Sequence, residues 1–137
     1  MNYLLDTNVL CEPLNKKPNP TVRQWFDQIP AHCLYLSVLT IGEIRKGAEK
    51  VSDQKKKQQI MLWLENDIPV LFQNRILPIT FEIADRWGRL QHQVKRPLPA
   101  IDSLIAATAL HHDMTLATRN TKDYCDCPGL EIVNPWM

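Results

Sequence analysis

Asn2-Tyr3-Leu4-Leu5-Asp6-Thr7-Asn8 is the stretch on which the fold turns. Tyr3-Leu4-Leu5 is a short apolar run of the kind that forms a buried strand. Asp6, Thr7 and Asn8 end it with oxygen-bearing side chains that favour turns and helix starts. A carboxylate at the end of such a strand has two readings. It caps the helix that follows, or it stands in the crevice at the strand's carboxyl end, where open α/β sheets place their ligands. The company Asp6 keeps along the chain selects the second.

Working outward, the same alternation repeats. Leu34–Ser37, Ile76–Ile79, Thr115–Thr118 and Leu130–Val133 are the further strand candidates, with Val70-Leu71-Phe72 a weaker one. Helices are expected over Val9–Leu14, Thr21–Ile29, Ile41–Lys50, Asp53–Asn66, Thr80–Arg96 and Leu104–His111. Val22, Trp25, Phe26 and Ile29 fall at i, i+3, i+4, i+7 spacing, with Asn19 or Thr21 as the cap. Thr40 with Glu43 three residues on spells a capping box. Gly47, one turn later, admits a close approach by a backbone or ligand. Pro97 and Pro99 impose an extended connection before Asp102 opens an alanine-rich helix. Short strands alternating with helices predict an α/β fold, a three-layer α/β/α sandwich around a mainly parallel sheet. The 137 residues carry no repeat, linker or low-complexity segment, so one domain is expected over 1–137.

Composition narrows the function classes. A hydrophobic share of 45% with 23% charged residues is ordinary for a globular chain. A net charge of +1 gives no global field for a polyanion, so nucleic-acid binding has to rest on local patches. Lys46, Lys50, Arg86, Arg89 and Arg119 are candidates for phosphate contacts, whereas Lys55-Lys56-Lys57 reads as a solvated face. No apolar run approaches the ~18 residues of a membrane span. The run before Asp6 is too short for a secretory signal, and Cys11, Cys33, Cys125 and Cys127 read as free thiols of a reducing cytoplasm. Cys125 and Cys127 have no second pair at zinc-site spacing. His32, His92, His111 and His112 lack recognisable nucleophile partners, and the four glycines form no phosphate-cradling loop.

The positions that carry chemistry now line up. Asp6 ends the first strand, Glu43 lies in the first turn of the helix after the second, and Asp102 opens the alanine-rich helix. Asn120 and Asp123 follow the Thr115–Thr118 strand. Strand carboxyl ends and helix amino ends share one edge of a parallel sheet, so these acids converge. Taken singly, Asp102 is also an N-cap, Glu43 half of a capping box and Asp123 a turn residue. Gathered carboxylates either raise their pKa values or hold a cation. With oxygen ligands alone, the cation is hard, Mg²⁺ or Mn²⁺. Such a metal activates water against a phosphodiester.

Four stretches carry a family resemblance. They are Leu4–Asn8, Leu36–Gly47 (LSVLTIGEIRKG), Ile101–Ala109 (IDSLIAATA) and Leu116–Tyr124 (LATRNTKDY), with the ending Val133-Asn134-Pro135-Trp136. In this order they span essentially the whole chain, which resembles the PIN-domain ribonucleases and, among them, the VapC/FitB-like toxins of type II toxin–antitoxin pairs. The resemblance implies a Mg²⁺- or Mn²⁺-dependent endoribonuclease that cleaves RNA, with tRNA a candidate substrate. It implies Asp6 and Asp102 as the principal metal ligands, completed by Glu43. The fourth acidic position falls to Asn120 or Asp123, and Thr7, Asn8 and Thr118 are expected to hydrogen-bond the ligating carboxylates. A homodimer is implied, together with a DNA-binding VapB/FitA-like antitoxin and a larger hetero-oligomer formed with it. The competing reading is a catalytically weak binding module of the same fold that acts on DNA or RNA through its antitoxin complex.

Overall fold

Five short strands build one sheet in a computed structural model that describes residues 1–137. They are β1 (Tyr3–Leu5), β2 (Leu34–Ser37), β3 (Ile76–Leu77), β4 (Thr115–Ala117) and β5 (Ile132–Val133). Their order is β3-β2-β1-β4-β5, and every pairing is parallel. The sheet is therefore wholly parallel, and successive strands need crossovers long enough to return the chain to the same edge. β1 is central: Tyr3 pairs with Leu34 on one side and Thr115 on the other.

Successive residues of a strand point to opposite faces, and this splits the core in two. Leu4 and Leu116 join Leu90, Ile105 and Ala106 on one face. Those residues come from α6 (Phe81–Gln93) and α7 (Ala100–His112). Leu5 and Ala117 join Val9, Ile44, Leu64 and Ile68 on the other. That face is covered by α1 (Thr7–Cys11), α3 (Val38–Glu49), α4 (Gln54–Leu62) and α5 (Ile68–Leu71). α2 (Pro20–Gln28) flanks it, with Trp25 edge-on to Tyr3 at 5.2 Å between ring centroids. The result is the three-layer sandwich. Ala106, Ala107 and Ala109 are fully buried, and their small side chains let α7 lie close to its neighbours. Ser103 ties α7 to α6, accepting from Trp87 Nε1 at 2.8 Å and Gln91 Nε2 at 3.0 Å.

Element boundaries differ from the sequence expectation where caps were misassigned. α1 begins at Thr7 rather than Val9, because Asp6 Oδ1 accepts the Thr7 N–H at 2.8 Å, and it gives way to a 3-10 turn over Glu12–Leu14. Asn19 caps α2. α3 starts at Val38 because Ser37 Oγ accepts the Leu39 N–H at 3.1 Å. Thr40 is not the cap. Its hydroxyl is buried inside the helix without a partner, no capping box forms, and Glu43 lies in the second turn with its side chain turned to the Thr7 hydroxyl instead. Val70-Leu71-Phe72 is not a strand: α4 passes through a π turn (Trp63–Asp67) into α5, which includes Val70 and Leu71. α6 ends at Gln93 and α7 begins at Ala100, which puts Asp102 in the first turn and not at the cap.

The two hydroxyls at the start of α3 should behave oppositely. Ser37→Ala should cost about 1 kcal/mol through the lost cap. Thr40→Val should be neutral or stabilising, because it removes a buried hydroxyl that has no partner. Urea denaturation of the two variants checks this, and the opposite ordering would restore Thr40 as the cap.

Candidate active site

The strand order reverses between β1 and β4, and a parallel sheet opens a crevice at the carboxyl ends of such a pair. Asp6 leaves β1 at that point. Its backbone N–H donates to Ala117 O at 2.9 Å, continuing the ladder with β4. Its side chain is held from both sides: Oδ1 accepts from the Thr7 N–H, and Oδ2 accepts the Thr118 hydroxyl at 2.8 Å. Thr118 Oγ1 in turn accepts the Asn120 N–H at 3.1 Å. Only 6% of Asp6 is exposed. Glu43 reaches the same place from α3, where its Oε1 accepts the Thr7 hydroxyl at 2.7 Å. Asp102 is half-buried in the first turn of α7, and Asp123 ends an exposed 3-10 turn over Thr121–Asp123.

The electrostatics tie these acids together. Burial pushes the Asp6 carboxyl above the ordinary carboxylate value. The hydrogen bonds from Thr118 and Thr7 oppose that rise, and the charges of Asp102 and Glu43 add to it. Burial likewise raises Asp102, the Tyr124 hydroxyl opposes the rise, and the charge of Asp123 reinforces it. Asp123 is thus the acid that acts on Asp102. Asn120 enters through its backbone, donating to the hydroxyl that holds Asp6. Asn8 does not bond a carboxylate: its Oδ1 accepts the Arg119 N–H at 3.2 Å and ties the loop after β4 to α1.

No group of three His, Cys, Asp or Glu side chains closes on a single point. That arrangement still suits a small hard cation, because Mg²⁺ is commonly held by one or two carboxylates and keeps several waters. The donor set is oxygen only. Asp6 and Asp102 both sit above their ordinary pKa, because burial first and like charges second oppose their ionisation.

Two polar residues were not singled out from the sequence. Tyr124 is buried, and its hydroxyl faces the acids without reaching an acceptor at good geometry. Burial first, and then the charges of Asp6 and Asp102, push its pKa up and keep it a neutral donor. No spacing rule marks such a tyrosine; only its burial beside the crevice does. Glu12 accepts from Asn15 Nδ2 at 2.7 Å and the Asn19 N–H at 3.0 Å, pinning the loop before α2. Among the basic candidates, Arg86 lines a cavity with Asn2 and Thr115 at the opposite edge of the sheet. Arg89 is paired with Asp85 at 3.2 Å on α6. Arg119 stays beside the crevice, stacked over Trp136 at 4.9 Å.

Comparison with known proteins agrees with this geometry. Residues 3–126 match the family described as PIN domain. The chain is 38% identical to Toxin FitB of Neisseria gonorrhoeae over 136 residues, covering 97% of each. It is 32% identical to VapC ribonuclease Y4jK of Sinorhizobium fredii, covering 97% of this chain and 96% of the other. It superposes on the structure of FitAB bound to the IR36 DNA fragment with a TM-score of 0.91 at 36% identity, covering 98% of this chain and 96% of that one.

The raised Asp6 pKa has a stability consequence in metal-free buffer. The native state holds the Asp6 proton more tightly than the unfolded chain does. Stability is therefore lost as pH rises from the ordinary value of 3.8 through the raised native value, and it is flat above that. Asp6→Asn keeps an acceptor for the Thr7 N–H and does not titrate. It should melt above the wild type at pH 7, with the gap closing as pH falls toward 3.8. Thermal melts in EDTA across this range provide the check. Burial also pushes the Cys11 thiol up to about 11, so Cys11 should resist iodoacetamide at pH 8 while exposed Cys125 reacts.

Proposed function

The chain belongs to the PIN-domain family, and from that premise we propose that it is a metal-dependent endoribonuclease, the toxin of a toxin–antitoxin pair. The carrying observation is the buried Asp6 carboxylate at the β1–β4 switch point, on which the charges of Glu43 and Asp102 converge. A relative at 32% identity is named a VapC ribonuclease and another at 38% a toxin, which supports the same reading.

In this reading the whole chain acts as one PIN domain. Asp6 and Asp102 would be the principal ligands of Mg²⁺ or Mn²⁺, with Glu43 completing the acidic pocket and Asp123 as its fourth acid. A bound divalent cation supplies Lewis acidity at the scissile phosphate. The chain's own residues do the rest. Thr118 and the Thr7 N–H fix the two oxygens of Asp6, and the Thr7 hydroxyl fixes Glu43, so neither carboxylate spends orientation on binding. Tyr124 keeps a neutral, buried O–H beside Asp102 and helps hold that carboxylate. The RNA is single-stranded at the cut, since an active site at a sheet edge needs an unstacked backbone; a tRNA loop meets that requirement. The partner is an antitoxin with a DNA-binding segment. It joins a homodimer of this chain in a larger assembly and sets a basic side chain against the acids in competition with the metal.

Purified protein should cut RNA with Mg²⁺ or Mn²⁺ and stop with EDTA; cleavage that persists unchanged in EDTA would overturn the metal role. Asp102→Asn and Asp6→Asn should abolish most activity. Thr118→Val should cost ~10–100-fold, the range for losing a partner of a ligating carboxylate. Asn120→Ala should cost less than Asp123→Ala in the same cleavage assay, and the reverse order would give the fourth position to Asn120.

A further inference from the structure

Beside the acid crevice runs a trough of about 510 Å³ between α1, α3 and the start of α4. Thr7 and Glu43 line it, so the hydrogen bond between them is a wall shared with the crevice. Ile44, Ala48, Val51 and Ile60 form an apolar side. Gly47 keeps the space open: a Cβ added there would meet nothing within 4 Å. Lys16, Lys55 and Lys56 also line the trough, and none of them is ion-paired. Of the Lys55-Lys56-Lys57 run, only Lys57 is turned elsewhere, to Glu49 at 3.7 Å. The run is therefore not a uniform solvated face. Asp53, the other acid of the trough, is occupied in capping α4.

A cleft of this size lies within the ~300–1,000 Å³ span of small-ligand sites. An apolar side is a surface for a flat ring, Asn15 and Gln59 are hydrogen-bonding groups for its edge, and the three ammonium groups suit phosphates. We propose that this trough is a nucleotide subsite: it takes a base of single-stranded RNA next to the scissile phosphate, with Lys16, Lys55 and Lys56 on the flanking phosphates. This rests on the ribonuclease reading. A partner's apolar segment is better matched by the neighbouring groove of about 280 Å³, which is lined by Leu10, Phe26, Trp63, Ile68 and Leu71. The charge distribution separates the two surfaces, since free ammonium groups favour a polyanion.

The test uses the 137-residue chain with the Asp102→Asn change in EDTA and a short fluorescein-labelled single-stranded RNA, titrated at several salt concentrations. Replacing Lys16, Lys55 and Lys56 together by Gln should weaken binding ~10-fold or more. It should also flatten the log–log salt slope by about 2, the counterion release of three single-strand phosphate contacts. In the active background, Gly47→Leu should narrow the trough, raising KM several-fold with little change in kcat or melting temperature. An unchanged affinity and salt slope in the triple variant overturns the subsite. So does a triple variant that binds RNA normally but no longer retains its antitoxin, because the trough is then a protein groove. If the wild type cuts no RNA with Mn²⁺ while lysine-dependent binding persists, the ribonuclease reading fails and the subsite stands.

Discussion

The candidate site depends on one carboxylate being held where the sheet would prefer a neutral group. Asp6 is almost wholly buried at the end of the central strand, and burial alone drives its pKa up. Two short hydrogen bonds offset part of that cost, one from the first N–H of α1 and one from the hydroxyl that follows β4. Their donors come from chain segments more than 100 residues apart, and the parallel pairing of β1 with β4 brings them together. A sheet with a different strand order would keep the Thr7 bond but lose the Thr118 hydroxyl, and an unpartnered buried acceptor costs about 1–3 kcal/mol.

The rest of the fold serves that position. The wholly parallel sheet brings the strand carboxyl ends to one edge, and the first turns of α1 and α7 and the second turn of α3 face the crevice there. Alanines on α7 and the Ser103 bonds to Trp87 and Gln91 fix the helix that carries Asp102. Positioning by packed helices is tighter than positioning by loops. Only Asp123 comes from an exposed turn, and that turn is clamped by Arg96, which bonds Asp123 O at 2.7 Å and Asp126.

The near-zero net charge conceals a segregated surface. The acids gather at the crevice, three unpaired lysines line the adjoining trough, and the most apolar groove lies beyond them. Several other cations are engaged: Arg45 with Glu65, Arg89 with Asp85, Arg96 with Asp126. Pairing of this kind separates structural charge from charge that is free to meet a phosphate, and a count of lysines and arginines cannot make that separation.

The sequence by itself determined the fold class and the strand and helix order, because apolar runs and turn residues are local signals that one chain displays openly; the family was legible only as a resemblance of whole motifs. It also named Asp6, Glu43 and Asp102 as candidates, with Asn120 or Asp123 as the fourth, since strand ends and helix starts share an edge in parallel β-α units. Caps were less legible. Ser37 and Thr40 both have side chains that can cap a helix, and only the backbone path shows that Ser37 does so while Thr40 is buried. Val70-Leu71-Phe72 reads as a strand by composition, and the continuation of α4 through a π turn overrides it. Tertiary structure alone decided that Asn8 holds a loop instead of a ligand, that Tyr124 faces the acids, that Arg86 lies at the far edge, and that Lys55 and Lys56 part company with Lys57. The reason is physical: these roles depend on which segments meet across distant parts of the chain, and no local periodicity encodes the partner of a side chain.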